Sequence, residues 1–151
     1  KSLRDVLEVR RSLEELAIEL ACQRMTDEEI EQLGERQNDF KNAINKGNAM
    51  NIAETDEAFH DVIYLGTGND KLVQILNNLR EQMYRYRVEY LKEEQTRNLL
   101  VNEHEELVKA IRDGNVERAQ EISFNHLENQ RKAIIRTIRA ENEAKEDKKK
   151  E

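Results

Sequence analysis

Hydrophobic positions recur along the chain at intervals of three and four residues, in six stretches separated by helix-stop signals. The first stretch, about Leu3 to Met25, puts Leu3, Val6, Leu7, Leu13, Ala17, Leu20 and Ala21 on one stripe. Thr26-Asp-Glu-Glu29 has the form of a capping box and opens a second helix through Ile30, Leu33, Phe40, Ala43 and Ile44. Lys46-Gly47-Asn48 supplies its left-handed stop. Gly34 lies inside that helix, where it costs about 1 kcal/mol relative to Ala, and is read as a close-packing position. A third helix carries Ile52, Phe59 and Ile63 and closes at Gly66-Thr-Gly68. Those glycines follow no strand and precede no Gly-Lys-Ser/Thr, so they end a helix and do not cradle a phosphate. Asn69 caps a fourth helix, expected to run unbroken from Asp70 to about Glu94 with Leu72, Leu76, Leu79, Met83, Tyr86 and Tyr90 on its core face. A fifth covers about Asn98 to Arg112 and stops at Asp113-Gly114-Asn115, and a sixth follows with Val116, Ala119, Ile122, Leu127 and Ile134 on one side.

This pattern predicts an all-α domain over residues 1–138, and a composition without Pro or Trp agrees with it. Residues 139–151 have no apolar face and read as a charged tail that frays into solvent. No apolar run approaches the roughly 18 residues of a membrane span. The single Cys22 rules out an internal disulfide framework; beside Ile18 and Ala21 it reads as packed and inert, and a cytoplasmic setting fits. Lys+Arg 25 against Asp+Glu 32 leaves −7, the wrong sign for a domain that itself grips a phosphate backbone. The start, Lys-Ser-Leu-Arg-Asp, reads as a fragment of a longer chain.

The informative residues are the polar ones that fall on apolar stripes. Asp56 and His60 share the third helix's stripe one turn apart, so both project to one spot. His104 sits among Leu100, Leu107, Val108 and Ile111 on the fifth helix, and His126 among Ile122, Ser123 and Leu127 on the sixth. Every histidine of the chain therefore faces inward from a separate helix, with a carboxylate beside the first. A core Asp–His hydrogen bond would explain the first pair. The full set makes an N/O site suited to Zn²⁺, Ni²⁺, Mn²⁺ or Fe²⁺, and the absence of a thiolate set argues against a closed Cys-type zinc. Arg10 also lies inside a stripe and must find an anion, either Glu14 one turn on or a bound carboxylate. Arg80 and Arg87 flank the fourth helix's stripe seven residues apart, and Tyr84 lies between them.

Glu8-Val-Arg-Arg-Ser-Leu-Glu14, Asp56-Glu-Ala-Phe-His60, Glu103-His104-Glu-Glu-Leu-Val-Lys-Ala-Ile111, Asp113-Gly-Asn-Val-Glu-Arg-Ala119 and His126-Leu127 follow one another in an order that resembles a known family. It is the C-terminal effector-binding (FCD) domain of GntR-type transcriptional regulators of the FadR subfamily, and the resemblance spans roughly residues 3 to 135. It implies an antiparallel bundle of six to seven helices, a homodimer, and DNA contact only through a winged helix-turn-helix outside this chain. It also implies a divalent metal, Zn²⁺ foremost, on Asp56, His60, His104 and His126, with Arg10 holding an effector carboxylate. Arg80, Arg87 and Tyr84 are further candidates for the effector pocket, and Tyr86 and Tyr90 could line it too, with packing as the alternative for each tyrosine. Retention of all four metal positions favours a small organic acid over an acyl-CoA. The expected function is a non-enzymatic sensor domain of a bacterial regulator that meets no membrane. The alternative is a metal-dependent hydrolase or lyase, which would need a general base such as Glu14 or Glu103 beside a metal-bound water.

Overall fold

The structure, a computed structural model, describes residues 2–150, and all its regular elements there are helices. They are α1 (Ser2–Arg24), α2 (Asp27–Lys46), α3 (Ala49–Gly66), α4 (Asp70–Gln82), α5 (Tyr84–Tyr90), α6 (Glu94–Arg112) and α7 (Val116–Lys150). The expected all-α bundle of six to seven helices is borne out. Among the described residues no helix is long and apolar enough to cross a membrane.

Local chemistry explains where the helices begin. The Thr26 hydroxyl accepts from the Glu29 N–H at 3.2 Å while the Glu29 carboxylate accepts from the Thr26 N–H at 3.0 Å, so two orphan donors are satisfied reciprocally. Asn48 accepts from the N–H groups of Met50 and Asn51, and Asn69 from that of Leu72. Gly47 ends α2 at φ 75°, a left-handed conformation that a Cβ would penalise.

Three expectations need correction. The fourth helix is not continuous: it breaks at Met83, whose φ/ψ of −97°/0° lets its N–H bond back to the Arg80 carbonyl at 3.1 Å. The following segment has three tyrosines and Val88, weak helix formers, and Met83 itself is buried, so packing sets the corner. The charged tail does not fray: α7 runs on through residue 150 as an exposed helix (Glu151 lies outside the described residues). Its last turns are built of strong helix formers, with Glu141 one turn before Lys145 and Glu146 one turn before Lys150, and Glu141 meets Arg85 at 3.0 Å. Gly34 is not a close-packing position, since a Cβ there would meet only the Arg112 guanidinium at 4.0 Å. The tightly packed glycine is Gly66, where a Cβ would stand 2.4 Å from Met25 Cγ.

α2 and α3 form a hairpin, α6 packs on α2 and α7, and α1 lies along α7 with its other flank on α3 and α4. The interior divides into two apolar clusters, a larger one around Phe59, Tyr64 and Ile111 and a smaller one around Phe40, Ile52 and Leu100. His104 joins them. Its ring stacks on Phe59 at 4.0 Å and 7° and lies 4.5 Å from Phe40. The candidate chemistry therefore sits at the seam between two packed cores.

Candidate metal centre

α3 carries Asp56 and His60 one turn apart, α6 brings His104 across from it, and α7 brings His126. The Asp56 Oδ1 atom lies 3.1 Å from His104 Nε2 and 3.4 Å from His60 Nε2. Asp56, His60 and His104 each offer a ligand atom within 4.8 Å of the others. The His126 ring centroid is 5.9 Å from that of His60, so α7 closes the group on its open side.

One contact decides how these atoms meet. His104 Nδ1 is 3.0 Å from Gln37 Oε1, and the Gln37 amide is oriented by donating through Nε2 to the Val101 carbonyl at 3.1 Å. Gln37 therefore accepts, His104 Nδ1 carries the hydrogen, and Nε2 of the neutral ring presents a lone pair. That lone pair faces a carboxylate oxygen. Neither Asp56 Oδ1 nor His104 Nε2 has a hydrogen-bond partner among the described residues, and both side chains are almost fully buried. Burial pushes the His104 pKa down by more than Asp56 raises it. Burial pushes the Asp56 carboxyl up, but the opposing influences, His60 foremost, outweigh it and hold the carboxyl well below the usual range. Two acceptors aimed at each other across 3.1 Å are repulsive until a cation lies between them. The donor set thus fits a divalent N/O-liganded metal.

Outer contacts orient the other rings. His126 Nδ1 lies 2.9 Å from Glu103 Oε2, the carboxylate–histidine arrangement that leaves Nε2 free as a ligand. A cavity of about 20 Å³ opens beside His60, His104 and His126, with Arg10, Glu14 and Tyr64 in its wall. Arg10, only 7% exposed, donates to Gln130 Oε1 at 2.7 Å and lies 3.7 Å from Glu14. Glu14 in turn accepts from the Tyr64 hydroxyl, whose pKa is pushed well up by burial and then by Glu14. Glu14 and Glu103, the acids weighed as general bases, are thus both engaged by other side chains.

Arg80, Arg87 and Tyr84 lie elsewhere. Arg80 Nη2 meets Asp61 Oδ1 at 2.5 Å and Asn77 at 2.8 Å, Arg87 meets Glu57 at 3.4 Å, and Tyr84 is half exposed. Glu57 and Asp61 form the acidic flank of α3, and none of Arg80, Arg87 and Tyr84 lines the histidine cavity. Tyr90 is the tyrosine of this segment that meets the centre, its ring 6.4 Å from His126 and its buried hydroxyl without a partner among the described residues. Burial, then Glu103 and Asp56, pushes its pKa up, so it stays a donor. Gln37 and Gln130 carry no sequence signal as site residues beyond their place on apolar stripes, Gln37 between Leu33 and Phe40 at helical spacing and Gln130 between Leu127 and Ile134.

All of these side chains except Gln130 fall within residues 5–129, the span matched by the family described as the FCD domain. A comparison with curated proteins finds no match. Among solved structures, E. coli McbR/YncC superposes with a TM-score of 0.81 at 17% identity, covering 89% of this chain and 68% of that one. At that identity the likeness speaks to the fold. With the family matched across most of its length, in the order its motifs indicated, the chain belongs to the FCD domain family.

Proposed function

We propose that this chain is the effector-binding and dimerisation domain of a GntR-type transcriptional regulator, and that it senses a small carboxylate metabolite through a divalent metal. The observation that carries the metal is the lone-pair-to-lone-pair contact of Asp56 Oδ1 and His104 Nε2. Asp56, His60, His104 and His126 would hold the ion, Zn²⁺ foremost, with Glu103 and Gln37 fixing two of the rings. When bound, the ion supplies a Lewis-acidic charge to which a carboxylate oxygen can attach. Arg10, at the cavity wall, offers a planar guanidinium to the same carboxylate. A homodimer in the cytoplasm, with DNA held by a separate winged helix-turn-helix, is the assembly on which effector binding acts. The engagement of Glu14 with Arg10 and Tyr64, and of Glu103 with His126, favours sensing over hydrolysis or lyase chemistry.

Elemental analysis of the purified chain should return about one divalent transition metal per protomer, and calorimetry on the loaded protein should detect mono- or dicarboxylic acids. A chain that stays metal-free after incubation with Zn²⁺, Ni²⁺ and Mn²⁺ would overturn the proposal. Gln37→Ala tests the support of the site. Without the Gln37 acceptor the His104 tautomer and ring are free, and metal affinity should fall by about 10- to 100-fold. Competition against a chelator measures this. Unchanged affinity would mean that Phe40 and Phe59 alone hold the ring.

A further inference from the structure

The cavity beside the histidines is small. At about 20 Å³ it has room for one or two water-sized groups, enough for a carboxylate head and nothing behind it. Two of its wall residues, Arg10 and Leu127, also line a second, much larger space on the other side. This is a groove of about 610 Å³ between the start of α1 and the middle of α7. Leu7, Leu127, Ile135 and Ile138 give it an apolar lining, and all four are only half buried.

Its charge is unlike the rest of the molecule. Arg4, Arg10, Arg11 and Arg131 line it against Glu8 and Glu128, four cations to two anions in a chain of net charge −7. Arg11 is held in place with its guanidinium 4.3 Å from the Phe124 ring. An apolar trough with a cationic border, sharing Arg10 and Leu127 with a carboxylate-sized cavity, has the shape and charge of a site for an amphipathic anion.

We infer that the effector is a carboxylic acid with an unbranched apolar tail of several carbons, its head at the histidine cavity and its tail in the α1/α7 groove. The inference rests on the metal–carboxylate reading above and adds the chemical class of the ligand. Arg10 meets the head from the cavity side, and the tail passes over Leu127 to lie along Leu7 and toward Ile135. Binding then ties the first turns of α1 to α7.

Calorimetry on the metal-loaded protein with acetate, butanoate, hexanoate, octanoate and decanoate tests it. Affinity should climb by roughly three- to fourfold per added CH₂ until the groove is filled. Ile135→Glu should weaken decanoate binding by more than tenfold, with Ile135→Ala as the milder variant and metal content reporting that each is folded. Equal affinity for acetate and decanoate would overturn the inference and leave the metal–carboxylate reading standing. Failure of every acid to bind would overturn both. Octanol binding as tightly as octanoate, or decanoate binding to Ile135→Glu as to the parent, would also overturn it, because the groove would then not be reading the tail of a metal-held acid.

Discussion

Asp56→Asn is expected to abolish metal-dependent stabilisation while leaving the metal-free protein as stable as the parent, or more so. The parent holds an ionised, 3%-exposed carboxylate whose Oδ1 faces the lone pair of His104 Nε2. Without metal the Oδ1–Nε2 contact leaves both atoms unpaired in a buried site, which is costly. Asn is nearly isosteric, and turning its amide nitrogen toward His104 makes the contact a donor–acceptor pair. A gain of about 1–3 kcal/mol is the expected scale for satisfying a buried polar group. At about 2–4 °C per kcal/mol for a chain of this size, the melting temperature in EDTA should hold or rise by several degrees. The metal effect runs the other way. An ion at 100 times its Kd stabilises the parent by about 2.7 kcal/mol, and the variant, having lost its only anionic ligand of the set, should gain almost none of it. Thermal melts of both proteins in EDTA and in excess Zn²⁺ give all four values. If Asp56→Asn melts well below the parent in EDTA, Asp56 is serving as the partner of protonated imidazoles, and the centre is an ion pair of the core.

How much of this was legible in the sequence depends on whether a feature is local. The capping box at Thr26 and Glu29, the Asn69 cap and the stop at Gly47 are short-range hydrogen-bond chemistry, and the structure has each as expected. The inward faces of His60, His104 and His126 were legible too, because a polar residue on a 3.6-residue apolar stripe has nowhere else to point. What periodicity cannot supply is the azimuth at which two helices meet. Asp56 and Glu57 differ by about 100° around α3, which separates the metal flank from the acidic flank. Arg80 and Arg87 could have met either, and they meet Glu57 and Asp61. The break at Met83 was hidden for a related reason: Leu79, Met83, Tyr86 and Tyr90 keep helical spacing across it, so the stripe reads as unbroken. Gln37 was overlooked because a lone amide between Leu33 and Phe40 acquires meaning only when α6 lays His104 against it.

Arg10→Ala should lower affinity for the best-binding carboxylic acid by at least tenfold while metal content stays at the parent's level. Truncating one partner of a buried charge-assisted pair typically costs roughly 2–5 kcal/mol, well above that threshold. His104→Ala should instead lower metal and acid affinity together, because the ion is part of the acid's site. The structure adds a complication: Arg10 already bonds Gln130 and neighbours Glu14, so Arg10→Ala also strands a buried carboxylate with the Tyr64 hydroxyl as its remaining partner. A stability loss on the order of 3 kcal/mol is therefore expected alongside the binding loss. Arg10→Lys separates the two effects. Lysine keeps a positive charge near Glu14 and so should retain most of the stability, but it lacks the planar fork that grips a carboxylate at two points, so acid affinity should still fall. Calorimetry and thermal melts on the three proteins settle the assignment. Should Arg10→Ala bind acids like the parent and merely melt lower, Arg10 belongs to the Glu14–Gln130 network alone, and the carboxylate is read by the metal without it.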